Sequence, residues 1–185
     1  DHYILNGSKP FISNGQHAGM VIVAAKTDPT AGARGISLFL VDTSLPGFER
    51  GRNLSKIGQH CGVTSELFFE DCRVPASALL GEEGKGFAYL MQELPRERLV
   101  IGVIACGAAR GVLDLTIEYA KERELFGQTL SQLQNTRFRI AEMESDAQVN
   151  AAFVEQCIQQ YKRGELDAAT ASMAKFSATE MQCRV

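Results

Sequence analysis

Apolar and polar positions along this chain change period once, near Gly81. Before it, apolar residues fall in short runs closed by turn-forming residues, the pattern of strands. Residues 3–7 and 10–15 read as two short strands, each ending in an Asn-Gly turn signal, Asn6-Gly7 and Asn14-Gly15. Residues 20–26 and 36–41 are continuous apolar runs of strand length, which predicts burial on both faces. The Pro-, Gly- and Thr-rich stretch 27–34 between them reads as a surface loop. Pro46-Gly47 marks a turn, and residues 65–74 a last strand ended by Pro75.

Beyond Gly81 the period is helical. The run Gly81-Glu82-Glu83-Gly84-Lys85-Gly86 reads as a flexible hinge into a short helix over 86–94, and Pro95 suits the first turn of a new helix. That second helix is predicted to reach Arg123. Its small residues Gly102, Ala105, Gly107, Ala108 and Gly111 permit close helix approach, Lys121 and Arg123 suit its C-terminal end, and Phe126-Gly127 breaks it. Another long helix starts near Ser131. Its stripe Ile140, Met143, Ala147, Ala151, Val154, Ile158 and Tyr161 alternates three and four apart and is predicted to face a bundle. Gly164 ends it, Asp167 can cap the next helix, and Met173, Phe176 and Met181 continue that one. The expected fold is α+β: an antiparallel β domain over residues 1–80, then an up-down helical bundle over 81–185.

Composition narrows the function classes. With 45% of 185 residues hydrophobic, the chain can bury a sizeable core in one or two domains. A net charge of −3 with both signs interspersed offers no basic field for nucleic acid. No apolar run is expected to reach the length of a membrane span. The five cysteines form no CxxC pair and the three histidines have no ligand spacing, which favours reduced thiols over disulfides or a metal site. The chain opens at Asp1 entering a strand and stops at Val185 inside a helical run, so it reads as an excerpt.

Several residues could carry chemistry, and each also has a structural reading. Glu97 lies in the first turn after Pro95, where the helix dipole favours an acid and Arg96 and Arg98 could neutralise it. Glu93 is the neighbouring carboxylate. Arg123 can be a dipole partner, Phe126 a plug in an interhelical turn, and Gln134 the last residue of a Ser131-x-x-Gln134 capping box. Ser13 and Asn14 suit a strand end. Lys85-Gly86-Phe87 lacks the Ser or Thr that a nucleotide-binding loop needs after its lysine.

Taken together, ordered segments change this picture. They are residues 3–15 (Tyr-Ile-Leu-Asn-Gly-Ser-Lys-Pro-Phe-Ile-Ser-Asn-Gly), Lys56-Ile57-Gly58, Leu79 to Gly86, Glu93 to Leu99, Lys121 to Gly127, and Gln134. In these the chain resembles the acyl-CoA dehydrogenase family, long-chain-like branch, along nearly its whole length. The resemblance covers the latter part of that family's middle β domain and the first helices of its C-terminal bundle.

The resemblance implies FAD-dependent α,β-dehydrogenation of an acyl-CoA thioester, with a carboxylate taking the α proton. In much of the family the base comes from a loop nearer the C-terminus. The long-chain and isovaleryl-like branches place it on the helix that starts the bundle, in the context matched by Glu97-Arg98-Leu99. Phe11 and Ser13 stand where the family has an aromatic residue over the flavin and a threonine hydroxyl near its N5. Ser keeps the hydroxyl without the methyl that restricts its rotamer. Arg123, Phe126 and Gln134 match positions reaching the FAD of a neighbouring subunit, which implies a homo-oligomer, usually a tetramer. The family also implies an electron-transfer flavoprotein as acceptor, and bacterial cytoplasm or mitochondrial matrix as compartment. The alternatives are a non-catalytic oligomerising remnant that retains no flavin, and a related flavin oxidase or monooxygenase, against which Glu97-Arg98-Leu99 argues.

Overall fold

Eight strands and three α-helices follow one another in the computed structural model, which describes residues 1–185. The chain divides into two compact units, Asp1–Leu90 and Met91–Val185. In the first unit, β1 (His2–Ser13), β5 (Thr64–Pro75) and β4 (Phe48–Asn53) form one antiparallel sheet in the order β1-β5-β4. A second antiparallel sheet has the order β2-β3-β6, from β2 (Met20–Lys26), β3 (Ile36–Asp42) and β6 (Leu79–Leu80). Alternate side chains of both sheets meet in one core, with Phe39, Val41, Leu67, Cys72 and Val74 almost fully buried. Edge-on ring pairs, Tyr3 with Phe39 at 4.7 Å and Phe48 with Phe69 at 5.4 Å, add direction to that packing.

Three expectations for this unit need correcting. Asn6-Gly7 is not a turn: β1 runs through it. There β5 carries one extra residue, and Asn6 bonds Asp71 twice, donating Nδ2 to its carboxylate at 3.1 Å and accepting its N–H at 2.8 Å. β2 is not covered on both faces, because it is a sheet edge whose Met20 and Ile22 are exposed. Finally, the polar segment Phe48–Asn53 forms a strand that its charges conceal in the sequence.

The helical segment begins with α1 (Gly86–Glu122), one unbroken helix with Pro95 inside it. The predicted break at Pro95 is absent: the ring removes the donor that would reach the Met91 carbonyl and crowds that carbonyl, yet the helix continues through it. Next comes a two-stranded hairpin, β7 (Glu124–Leu125) and β8 (Gln128–Thr129). Its two tip residues, Phe126 and Gly127, have φ of 54° and 77°, the signs a tight primed turn requires. The capping box is also displaced: Thr129 and Gln132 form it around a 3-10 turn, while Gln134 opens α2 (Gln134–Lys162). Asp167 does cap α3 (Ala168–Arg184), accepting the Thr170 N–H at 2.8 Å.

α1, α2 and α3 pack around small residues. Leu99, Ala105, Val154, Cys157, Ala174 and Ala178 form one cluster, and Ala109, Leu113, Ala147 and Met181 another. The predicted α2 stripe holds at Ala147 and Val154, but Cys157 takes an inner place while Ala151 and Tyr161 are exposed. On α3, Met173 and Phe176 point outward. Antiparallel sheets followed by a bundle of three helices are thus the architecture, in the α+β class expected.

The apolar character of α1 bears on the expectation that no run reaches the length of a membrane span. An 18-residue window of this helix has mean hydropathy 1.8, so by length and composition it is long and apolar enough to cross a membrane. The sequence disguises this with Arg110 and Asp114, which pair at 2.8 Å, Arg110 also reaching Glu144 of α2 at 2.7 Å. Such a pair suits a bundle helix that is apolar on two faces. Only 22% of the window is buried, so one of those faces is open.

Candidate functional site

β1 and β5 build the first part of the site. Pro10 brings no N–H to the ladder, and at this point two residues of β1, Pro10 and Phe11, face the single Glu66 of β5. The bulge puts Phe11 at φ 59° and leaves its ring 74% exposed. A cavity of about 430 Å³ lies against that ring, lined also by Arg52, Asn53, Leu54, Ser55, Lys56 and Thr64. Ser13, opposite Thr64 in the ladder, is exposed at the end of β1. An uncovered ring and hydroxyl groups together suit a flat cofactor; of the two cations there, Arg52 lies 3.8 Å from the Glu66 carboxylate and Lys56 donates to the Gly62 carbonyl. Arg52 and Lys56 are additions that sequence reading missed, since the strand bringing Arg52 to the cavity was itself hidden by charge.

α1 carries the second part. Glu97 is exposed, and neither flanking arginine neutralises it: Arg96 pairs with Glu93 at 2.8 Å, and Arg98 donates to the Ser172 hydroxyl at 3.0 Å. The carboxylate is therefore left for another partner. Val100, Ile101, Ile104, Leu115 and Tyr119, also on α1, are exposed. Val100, Ile101 and Ile104 lie within two turns of Glu97, and a carboxylate flanked by aliphatic side chains can accept a proton from an apolar substrate.

The third part stands at the far end of the same helix. Arg123 follows the last turn of α1 and is exposed, while the nearby Lys121 is tied to Glu118 at 2.8 Å. Phe126, at the hairpin tip, is 94% exposed on a backbone of positive φ. Gln134 is exposed at the start of α2. A guanidinium, a ring and an amide, all uncovered, fit pyrophosphate and a flat ring system. Twenty-five residues of continuous helix separate Glu97 from Glu122, about 38 Å at 1.5 Å per residue. A ligand pocket of ordinary volume is only about 7–10 Å across. Glu97 and Arg123 of one chain therefore stand farther apart than an ordinary pocket is wide.

Three of the cysteines are poor candidates for rival chemistry. All five are free, and burial pushes the Cys72, Cys106 and Cys157 thiols above their ordinary range, away from the thiolate form. The strongest charge cluster is structural. Hydrogen bonds from Arg110 and then Gln148 hold the Glu144 carboxyl below its ordinary range, and Glu144 and Asp114 hold Arg110 above its own.

Residues 1–72 match the acyl-CoA dehydrogenase middle domain, and residues 84–185 match the acyl-CoA dehydrogenase C-terminal domain. The chain belongs to the acyl-CoA dehydrogenase family. It is 50% identical over 182 residues to the mitochondrial long-chain specific acyl-CoA dehydrogenase of Sus scrofa, covering 97% of this chain and 42% of that protein. It is 40% identical over 180 residues to an acryloyl-CoA reductase (NADH) of Anaerotignum propionicum, covering 97% of this chain and 46% of that one. The crystal structure of an acyl-CoA dehydrogenase from Geobacillus kaustophilus superposes with a TM-score of 0.97 at 48% identity, over 100% of this chain and 49% of that one. The chain thus spans about half the length of the relatives it matches.

Proposed function

We propose that this chain is part of an FAD-dependent acyl-CoA dehydrogenase, with residues 1–80 in its middle β domain and residues 81–185 beginning its C-terminal bundle. Glu97 is the base. It takes the α proton of the acyl-CoA thioester, and the electron pair left on the α carbon spreads into the thioester carbonyl, which hydrogen-bond donors at the site must stabilise. When bound, FAD accepts the hydrogen that leaves the β carbon with its electron pair. Phe11 offers its face to the flavin and Ser13 its hydroxyl. Arg123, Phe126 and Gln134 hold the pyrophosphate and flat surfaces of an FAD seated in a neighbouring subunit.

The observation that carries this reading is the Glu97 carboxylate, left free because Arg96 and Arg98 are engaged elsewhere. Its distance from the Arg123 cluster supports the second half of the reading: if both ends of α1 serve flavin sites, those sites lie in different subunits. The assembly is accordingly a homo-oligomer, a tetramer in keeping with the family, with an electron-transfer flavoprotein as acceptor and the bacterial cytoplasm or mitochondrial matrix as its setting. The visible spectrum of the purified protein, followed by anaerobic addition of an acyl-CoA, tests the function. A flavin band that bleaches on addition is expected. A protein that stays colourless after FAD is supplied would contradict the reading and favour a non-catalytic oligomerising role.

A further inference from the structure

The end of β1 that carries Ser13 has little hold on its own sheet. Beyond the bulge at Pro10 and Phe11 only two residue pairs remain in the ladder, Ile12 with Ser65 and Ser13 with Thr64. A ladder end that short opens easily unless something outside it holds the backbone. The turn that follows, residues 14–18, has such a hold. Asn14 takes φ of 60°, its N–H donates to the Val63 carbonyl at 2.9 Å, and its carbonyl accepts the N–H groups of His17 at 3.1 Å and Ala18 at 3.0 Å. Gly15 lies against β5, where a Cβ would meet the fully buried Ser65 hydroxyl at 2.5 Å.

From there the turn reaches β4, a strand that β1 does not pair with, and the two exchange side-chain bonds. Gln16 donates Nε2 to the Gly51 carbonyl at 2.6 Å. In return Arg50 donates Nε to the Gly15 carbonyl at 3.3 Å and Nη2 to the Ala18 carbonyl at 2.8 Å. Its Nη2 also reaches the Thr43 hydroxyl at 2.7 Å. That hydroxyl donates its own hydrogen to the Ala18 carbonyl at 2.9 Å, so it accepts from Arg50. The guanidinium carbon stands 5.2 Å from the centre of the Phe48 ring, over its face. One planar fork thus spans three neutral oxygens, two of them on the turn, which the point charge of a lysine could not do.

We propose that Arg50 is a positioning residue for Ser13: by gripping the Gly15 and Ala18 carbonyls it seats the turn, and the seated turn fixes the backbone that carries the Ser13 hydroxyl. Every residue of this device lies in the unit Asp1–Leu90. The proposal rests on the reading that Ser13 offers its hydroxyl to the flavin. A serine lacks the methyl that restricts the rotamer of a threonine, so its backbone must supply more of the placement. Misplacing a group at a reacting centre by about 1 Å can lower a rate about 100-fold, so a loosened seat should register in flavin reduction.

Two readouts on the flavin-loaded protein test it. Amide hydrogen exchange over residues 12–18 reads the seat itself. Arg50→Met keeps an aliphatic stem and removes the fork; it should speed exchange there about tenfold, while residues 2–9 keep wild-type protection. Flavin reduction by an acyl-CoA, followed anaerobically in a single turnover, reads the consequence. Ser13→Ala and Arg50→Met should each slow it about tenfold with bound FAD unchanged, and the double variant should be no slower than Ser13→Ala. Thr43→Val, which takes one partner from the fork at nearly constant volume, enters the same cycle if Arg50→Met does not fold. Unchanged exchange over 12–18, a wild-type reduction rate in Arg50→Met beside a slowed Ser13→Ala, or a full Arg50→Met penalty on top of Ser13→Ala would each overturn the seat alone. A wild-type rate in Ser13→Ala would overturn the placing of that hydroxyl at the flavin, and the proposal with it.

Discussion

The two faces of α1 are built from different residues. The covered face is mostly small: Gly102, Ala105, Ala109 and Ala120, with Leu99 and Leu113 as its large members. Gly102 comes so close to α3 that a Cβ there would lie 3.3 Å from the Ala174 carbonyl. The open face carries Val100, Ile104, Val112, Leu115 and Tyr119, with Leu115 74% exposed. Within one chain the small residues are used up in helix approach, while the bulky ones wait for cover. An apolar face of this size, on the helix that also bears Glu97 and leads to Arg123, is what a subunit interface requires. Burial thus marks the face used within the chain, and the proposed function assigns the exposed face to contact with a second copy.

Substitutions on each face should separate these roles. The largest effect belongs to Glu97→Gln, which should lower kcat about 10²- to 10⁴-fold with FAD content unchanged, measured by flavin bleaching under single-turnover conditions. On the covered face, Leu113→Ala removes a fully buried side chain. It should destabilise the fold by about 2–5 kcal/mol in denaturant titration. The open-face counterpart, Leu115→Ser, should leave that titration nearly unchanged when protomers are compared, and should instead weaken self-association in sedimentation. A large fold destabilisation from Leu115→Ser would erase the distinction.

At the far end of the helix, Arg123→Ala should weaken FAD retention about 10- to 100-fold, the worth of hydrogen bonds to a charged group. Arg96→Ala should not, since Arg96 is occupied with Glu93 and carries no cofactor role. Equal FAD affinity in the two variants would count against the cross-subunit contact.

The smallest effect concerns the cap of α3. The Thr170 N–H and hydroxyl hold the Asp167 carboxyl below its ordinary value. Its contribution to stability is thus full above the unfolded value of about 3.9 and is lost as pH falls through the lower folded value. Thermal unfolding from neutral pH downward should show a steeper acid decline in the wild type than in Asp167→Asn; parallel curves would remove the cap from the account.

Much of the fold was legible because period and punctuation agree: short apolar runs closed by turn residues before Gly81, helical spacing after it, Gly164 and Asp167 between α2 and α3. What was hidden has local physical reasons. Asn6-Gly7 carries a hairpin signal, but Asp71 supplies a matching bulge across the ladder, so β1 passes straight through. Pro95 favours a helix start over an interior position, yet here packing of the rest of the helix outweighs the interior cost. Segment Phe48–Asn53 is polar because it is an edge strand. The site residues came from a resemblance rather than from periodicity. Nothing in the spacing of Glu97, Arg96 and Arg98 says that both arginines turn away. The hydrogen bonds that tie the glycine-rich segment 81–86 to Ser37 and Tyr3 were equally invisible, since those partners lie far off in sequence.

The central claim is that the two ends of α1 serve flavin sites in different subunits. Co-assembly of Glu97→Gln with Arg123→Ala protomers tests it most directly. In a mixed dimer one site carries both lesions and the other neither. Random pairing should then restore about a quarter of the wild-type rate, because about half the dimers are mixed and each keeps one intact site. A rate no greater than that of the two variants measured separately would contradict the account and return Arg123 to the service of its own chain.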